Sequence, residues 1–225
     1  MNSERPVKRR YDSSRRLAQA EETRSAIVRA ARDLFLDRGY AKTTVQDIAT
    51  EARVSVETIY GSVGRKPDLL RRAWDITIGG DDQQIVFHER PEILAIRREP
   101  DLARRLRLQA EMSTQTSQRI APFLLMVQAA AGADPAAAEM LEEMSRQRLV
   151  GMGVMAAAAA ATGQLAVPEE ECRDVLWSMT DGMLWCRLVR ERGWTNERYA
   201  EWLGDLWVDR LVQKRRRPPR RQATP

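Results

Sequence analysis

Between Thr44 and Lys66 the chain sets short hydroxyls and charges at close spacing. Thr44, Ser55, Thr58 and Tyr60 carry hydroxyls, Glu57 a carboxylate, and Arg65 and Lys66 cations. Such groups hydrogen-bond to base edges and to phosphate oxygens. None is paired with a base that would make it a nucleophile. Elsewhere the reactive inventory is thin. His88, the only histidine, lies in a polar, loop-like stretch. There is no metal-spaced Cys/His cluster, no GxSxG and no Gly-rich phosphate loop, so the sequence predicts neither an enzyme nor a bound metal or cofactor. Cys172 and Cys186 fall in one predicted helix, about 21 Å apart at the helical rise. They read as small buried hydrophobes in a reducing compartment.

The elements around these residues follow from periodicity. Ile27, Ala30, Ala31, Leu34 and Phe35 form one face of an amphipathic helix from about Ala20, closed by Gly39 with Tyr40 packing back. Residues 1–16 lack periodicity and read as a mobile arm. Thr44 reads as an N-cap with Asp47 completing a capping box, and Ser55 as the next N-cap. Only Arg53 and Val54 separate the two short helices, so they must cross sharply. Gly61 and Gly64 loosen the chain, and Pro67 opens another helix. This is a helix-turn-helix: the first helix braces across the DNA backbone, and the second presents Ser55, Val56, Glu57 and Thr58 to base edges. Tyr60, Arg65 and Lys66 suit phosphates. Glu57 can accept from a cytosine amino group, but solvent or Arg53 is the favoured partner.

With these residues in view, positions 23–70 resemble the DNA-binding domain of the TetR family of bacterial transcriptional regulators. The pattern is Ile27, Ala30-Ala31, Leu34-Phe35, Gly39-Tyr40, Thr44, Asp47-Ile48-Ala49, Ala52, Val54-Ser55, Thr58-Ile59-Tyr60, Lys66 and Leu69-Leu70. The resemblance implies an all-α homodimer with an N-terminal DNA-binding domain and a larger helical domain for a small effector. It also implies a four-helix dimer interface from the last two helices. Arg53 stands where the family usually has Gly, and Val63 where it has an aromatic. Gly61 and Ser62 replace more polar residues, and Glu57 a small or basic one. These departures bear on the operator sequence rather than the fold.

The C-terminal remainder reads as helices throughout, with no strand pattern. A short helix lies between Pro91 and Pro100. Another runs from Asp101 to about Ser117, and a separate one opens at Pro122. Pro135 to Ala161 is long, and Pro168 to Arg192 and Thr195 to 213 close the chain. The last two spans, 168–192 and 195–213, are the expected dimer contacts. Met112, Gln115, Phe123, Met126, Met155, Trp177 and Asp181 are effector-pocket candidates, against the simpler reading that Met and aromatic stripes are core. Asp181 stands out because it interrupts an apolar helix beside Gly182.

Charge divides the chain. Residues 1–16 carry six bases against two acids, residues 214–221 six more bases and no acid, and the body between has 25 bases and 30 acids. Basic ends on an acidic body read either as arms touching a polyanion or as solvated tails. Residues 42–66 hold Lys42, Arg53, Arg65 and Lys66 against Asp47, Glu51 and Glu57, a weak field for DNA. The arm residues Arg9, Arg10, Arg15 and Arg16 are therefore expected to supply much of the electrostatic hold. The tail 214–225 reads as solvated. A charged start without an apolar run predicts no cleavable signal, no membrane span and a cytoplasmic protein.

The expected division is arm 1–16, DNA-binding domain 17–66, ligand-binding and dimerisation domain 67–213, and tail 214–225. The expected function is a dimeric regulator, a repressor released from a palindromic double-stranded operator by a small molecule. The alternative is a helical interaction module or a sequence-blind DNA binder.

Overall fold

The computed structural model describes residues 11–81, 85 and 87–213. They are helical, with one isolated antiparallel bridge between Leu165 and Val212. Four helices come first: α1 (Tyr11–Arg38), α2 (Val45–Ala52), α3 (Val56–Ser62) and α4 (Lys66–Gly79). Then come α5 (Pro91–Arg98), α6 (Leu102–Ala131), α7 (Pro135–Ala160), α8 (Glu169–Ser178), a single turn α9 (Met183–Trp185) and α10 (Asn196–Leu211). Among the described residues no helix is long and apolar enough to cross a membrane.

Two compact units result: residues 1–83 with 122–141, and residues 84–121 with 142–225. In the first, α1 packs against α2, α3 and α4. Ile27, Ala31, Phe35, Ile48, Ile59, Leu69 and Ala73 are fully buried. Trp74 of α4 meets Phe123 with ring centroids 5.9 Å apart. The second unit is built on a cluster that includes Leu102, Leu106, Met155, Leu176, Trp185, Tyr199, Leu203 and Trp207. Arg105 braces it, Nε donating to the Glu99 carbonyl at 2.7 Å and a terminal nitrogen to the Ala158 carbonyl.

Three expectations are corrected. Helix α1 begins at Tyr11, so Arg15 and Arg16 are helical, while Arg9 and Arg10 lie outside the described residues, as does the tail beyond Gln213. Helix α6 is continuous, with Pro122 inside it. Pro122 is exposed, and buried Ile120, Ala121, Phe123 and Leu124 hold the helix through the donor it removes. The span 168–192 is broken. Thr180 Oγ1 donates to the Leu176 carbonyl at 2.8 Å, Gly182 turns at φ 86°, and a π-helical stretch, Cys186–Glu191, follows α9. The unbroken helix that separated Cys172 from Cys186 is thus absent. Both are free and buried, and burial pushes the Cys172 thiol up to about 11.

Candidate nucleic-acid interface

Helix α2 starts with a reciprocal cap. The Asp47 backbone N–H donates to Thr44 Oγ1 at 3.1 Å, and the Thr44 N–H donates to Asp47 Oδ2 at 2.8 Å. The Thr44 hydroxyl also donates to that carboxylate at 2.6 Å. Bonds from Thr44, with Arg38 nearby, hold the Asp47 carboxyl below its ordinary pKa. Ile48 and Ala49 fix the inner face of α2.

The turn is a Schellman closure. Arg53 N–H reaches the Thr50 carbonyl at 3.2 Å, and Val54 N–H the Ala49 carbonyl at 3.0 Å. Arg53 sits at φ 56°, ψ 43°, the left-handed conformation, and among the described residues no other non-glycine has positive φ. Such a geometry costs an L-residue roughly 1–2 kcal/mol.

Helix α3 follows with Ser55 as its cap, Oγ accepting from the Thr58 N–H at 3.1 Å. Ile59 is fully buried and Val63 nearly so, which holds one side of this short helix in the core. Ser55, Glu57, Thr58 and Tyr60 are exposed on the other, and Val56 is half-buried. Glu57 is turned back on the helix start. Hydrogen bonds from its own N–H and from Ser55, not from Arg53, hold its pKa down.

The exit is equally defined. Arg65 is exposed, and its N–H donates to Asp68 Oδ2 at 2.8 Å. Gly64 has φ 122°, and a Cβ there would lie 2.5 Å from that oxygen, so this glycine is required rather than merely loose. Lys66 is half-buried with Nζ 4.2 Å from the Tyr40 ring centroid. Burial lowers the Lys66 pKa, opposed by Asp134, while burial and Asp134 raise Tyr40 to about 12. Lys66 is thus partly engaged in packing, which leaves Arg65 the more open cation.

The effector candidates are divided between the two units. Phe123 and Met126 belong to the first unit, and Phe123 is packed on Trp74. In the second, Met155 is core, with Met112 and Trp177 against it. Gln115 is exposed on α6. Asp181 accepts from the Met183 N–H at 2.8 Å and caps the restarting helix. Sequence reasoning passed over Arg148, whose guanidinium lies 5.2 Å from the Trp177 ring centroid.

Residues 27–73 match the family described as bacterial regulatory proteins, tetR family. Over 50 residues the chain is 48% identical to the HTH-type transcriptional regulator HbdR of Aromatoleum sp. (strain CIB); the match spans 22% of each protein. Among solved structures, it is similar to NalD of Pseudomonas aeruginosa, the secondary repressor of the MexAB-OprM multidrug efflux pump. There the TM-score is 0.63 at 20% identity, over 86% of this chain and 98% of that one. A transcriptional regulator from Saccharomonospora viridis, solved in complex with choline, gives 0.63 at 20% identity, over 86% of this chain and all of the other. At such identities these two likenesses establish the fold.

Proposed function

We propose that this chain, which belongs through its amino-terminal domain to the tetR family of bacterial regulatory proteins, is a homodimeric transcriptional regulator. It represses from a palindromic operator and is released by a small molecule. The observation that carries the reading is the pose of α3: Ile59 anchors it while Ser55, Glu57, Thr58 and Tyr60 stand exposed within the stretch that matches the family. Each protomer lays Ser55 to Tyr60 into one major groove, with half-sites about 34–36 Å apart or a multiple of that. Thr44, Arg65, Lys66 and the basic residues Arg9, Arg10, Arg15 and Arg16 hold phosphates and set register.

The partner protomer is met through 168–192 and 195–213. In support, Trp177, Leu184, Leu188, Trp202 and Leu206 in these spans are half-buried apolar side chains that a second copy would cover. The effector, bound in the helical remainder with Met112, Met155 and Trp177 among the candidate contacts, favours a half-site spacing that no longer fits. It must bind that state better than the DNA-bound one. Repression is the sign that NalD's description carries for that protein.

Selection of bound fragments from random double-stranded DNA tests the reading. The expected result is an enriched palindrome bound by two protomers. Binding that is purely salt-driven and blind to sequence would replace it with the sequence-blind alternative.

A further inference from the structure

Lys66 opens α4 with its charge on a packed ring. Tyr40 is 2% exposed and tilted against Phe35, with ring centroids 5.2 Å apart. The buried Thr43 hydroxyl donates to the Gly39 carbonyl at 2.9 Å and so fixes the loop that carries this ring. Lys66 Nζ lies 4.2 Å from the ring centroid. Among the described residues the ammonium makes no hydrogen bond and no direct ion pair, so its donors stay open.

The turn between α6 and α7 belongs to the same unit. Phe123, Val127, Ala130, Ala137 and Met140 on either side of it are buried, with Phe123 on Trp74 of α4. Asp134 immediately precedes α7 and caps it. Its Oδ1 accepts from the Ala136 N–H at 2.9 Å and from the Ala137 N–H at 3.3 Å. Among the described residues its Oδ2 accepts no hydrogen bond. The charge is felt at both Lys66 and Tyr40. It opposes the fall that burial causes in the Lys66 pKa, and it adds to the rise in Tyr40. Asp134 thus stands within electrostatic reach of the Lys66 ammonium without a direct ion pair.

A cap needs a hydrogen-bond acceptor, which asparagine supplies as well as aspartate. The negative charge adds a favourable interaction with the helix dipole, and it also places a field at Lys66. A phosphate approaching Lys66 brings a second anion to the same ammonium. The two anions repel, and solvent screens them less at a half-buried group than in open water. Lys66 and Tyr40 lie within the stretch that matches the family, and Asp134 lies outside it.

We propose that Asp134 competes with DNA phosphate for Lys66, so that the α6–α7 turn weakens the grip of the helix-turn-helix on DNA. This rests on the reading of Lys66 as a phosphate contact and specifies what sets the strength of that contact. The Tyr40 ring holds Nζ in place, Asp134 supplies the opposing anion, and the phosphate binds against it. Lys66 touches the DNA; Asp134 acts through Lys66 and is a positioning residue.

The test compares the full chain with Asp134→Asn, Lys66→Met and the double variant on two duplexes, the selected operator and one of random sequence. Asparagine keeps the cap, and methionine keeps an apolar stem against Tyr40. Fluorescence anisotropy at low salt should show Asp134→Asn binding both duplexes about two- to fivefold more tightly per protomer, a gain that shrinks as salt rises. Lys66→Met should bind more weakly and should abolish that gain. In the free protein, NMR titration of the Lys66 amine should show its pKa falling in Asp134→Asn, because the carboxylate that supports the charged form is gone. Unchanged or weaker binding by Asp134→Asn, an equal gain in the Lys66→Met background, or an unmoved Lys66 amine overturns the proposal and leaves the regulator reading standing. That reading fails separately if no palindrome is enriched, and the random-sequence duplex still measures the phosphate contact in that case. Absence of binding to either duplex overturns both.

Discussion

Arg53 occupies a left-handed turn that glycine would fill without steric cost. Its N–H completes the closure between α2 and α3, so the conformation is imposed by the crossing of the two helices. Arg53→Gly is therefore expected to raise stability by about 1 kcal/mol, less the gain in unfolded-chain entropy, read as a higher urea midpoint. A lower midpoint would mean that the arginine side chain contributes more than its backbone costs. Asp47 makes a second residue-scale case. Its folded pKa is depressed, so the stability it adds is present above its unfolded pKa and lost as pH falls through the folded value. Asp47→Asn should be less stable than the parent at neutral pH, and the two urea midpoints should converge on acidification. A gap that persists below the folded pKa would assign the effect to geometry rather than charge.

At the scale of elements, the break between α8 and α9 changes what Asp181 does. In an unbroken helix it would interrupt an apolar face and invite a ligand or a partner. Here its carboxylate accepts the Met183 N–H at 2.8 Å, beside a glycine at φ 86° whose Cβ would lie 3.5 Å from Ile120. Asp181→Ala should lower stability by about 1 kcal/mol, as the loss of a helix cap does, with Asp181→Asn recovering most of it. Equal stability of all three proteins would return Asp181 to the effector candidates. Helix α6 makes the complementary point. Pro122 punctuates the sequence but not the structure, because the side chains around it are buried deeply enough to carry the helix past a missing donor.

At the scale of the whole molecule, charge separates reading from holding. The helix-turn-helix carries nearly as many acids as bases, while the excess of positive charge lies at the two ends of the chain. Deleting residues 1–10 should weaken operator binding and flatten its salt dependence by about 0.9 in logarithmic slope for each phosphate no longer neutralised. Arg15→Ala with Arg16→Ala tests the helical part of the same stretch without shortening the chain. An unchanged slope in both would move the electrostatic hold to Arg65 and its neighbours.

The sequence alone determined the all-helical class, both caps of the DNA-facing helices and the span of the family resemblance. The physical reason is that caps and amphipathic faces are local: Thr44 with Asp47, Ser55 with Thr58, and Ile48 with Ile59 lie within a few residues of the backbone groups or faces they serve. Tertiary packing decided what spacing could not. It extended α1 back to Tyr11, carried α6 through Pro122, broke 168–192 and drew Lys66 onto Tyr40. It also distributed the proposed effector residues between two units and exposed Gln115.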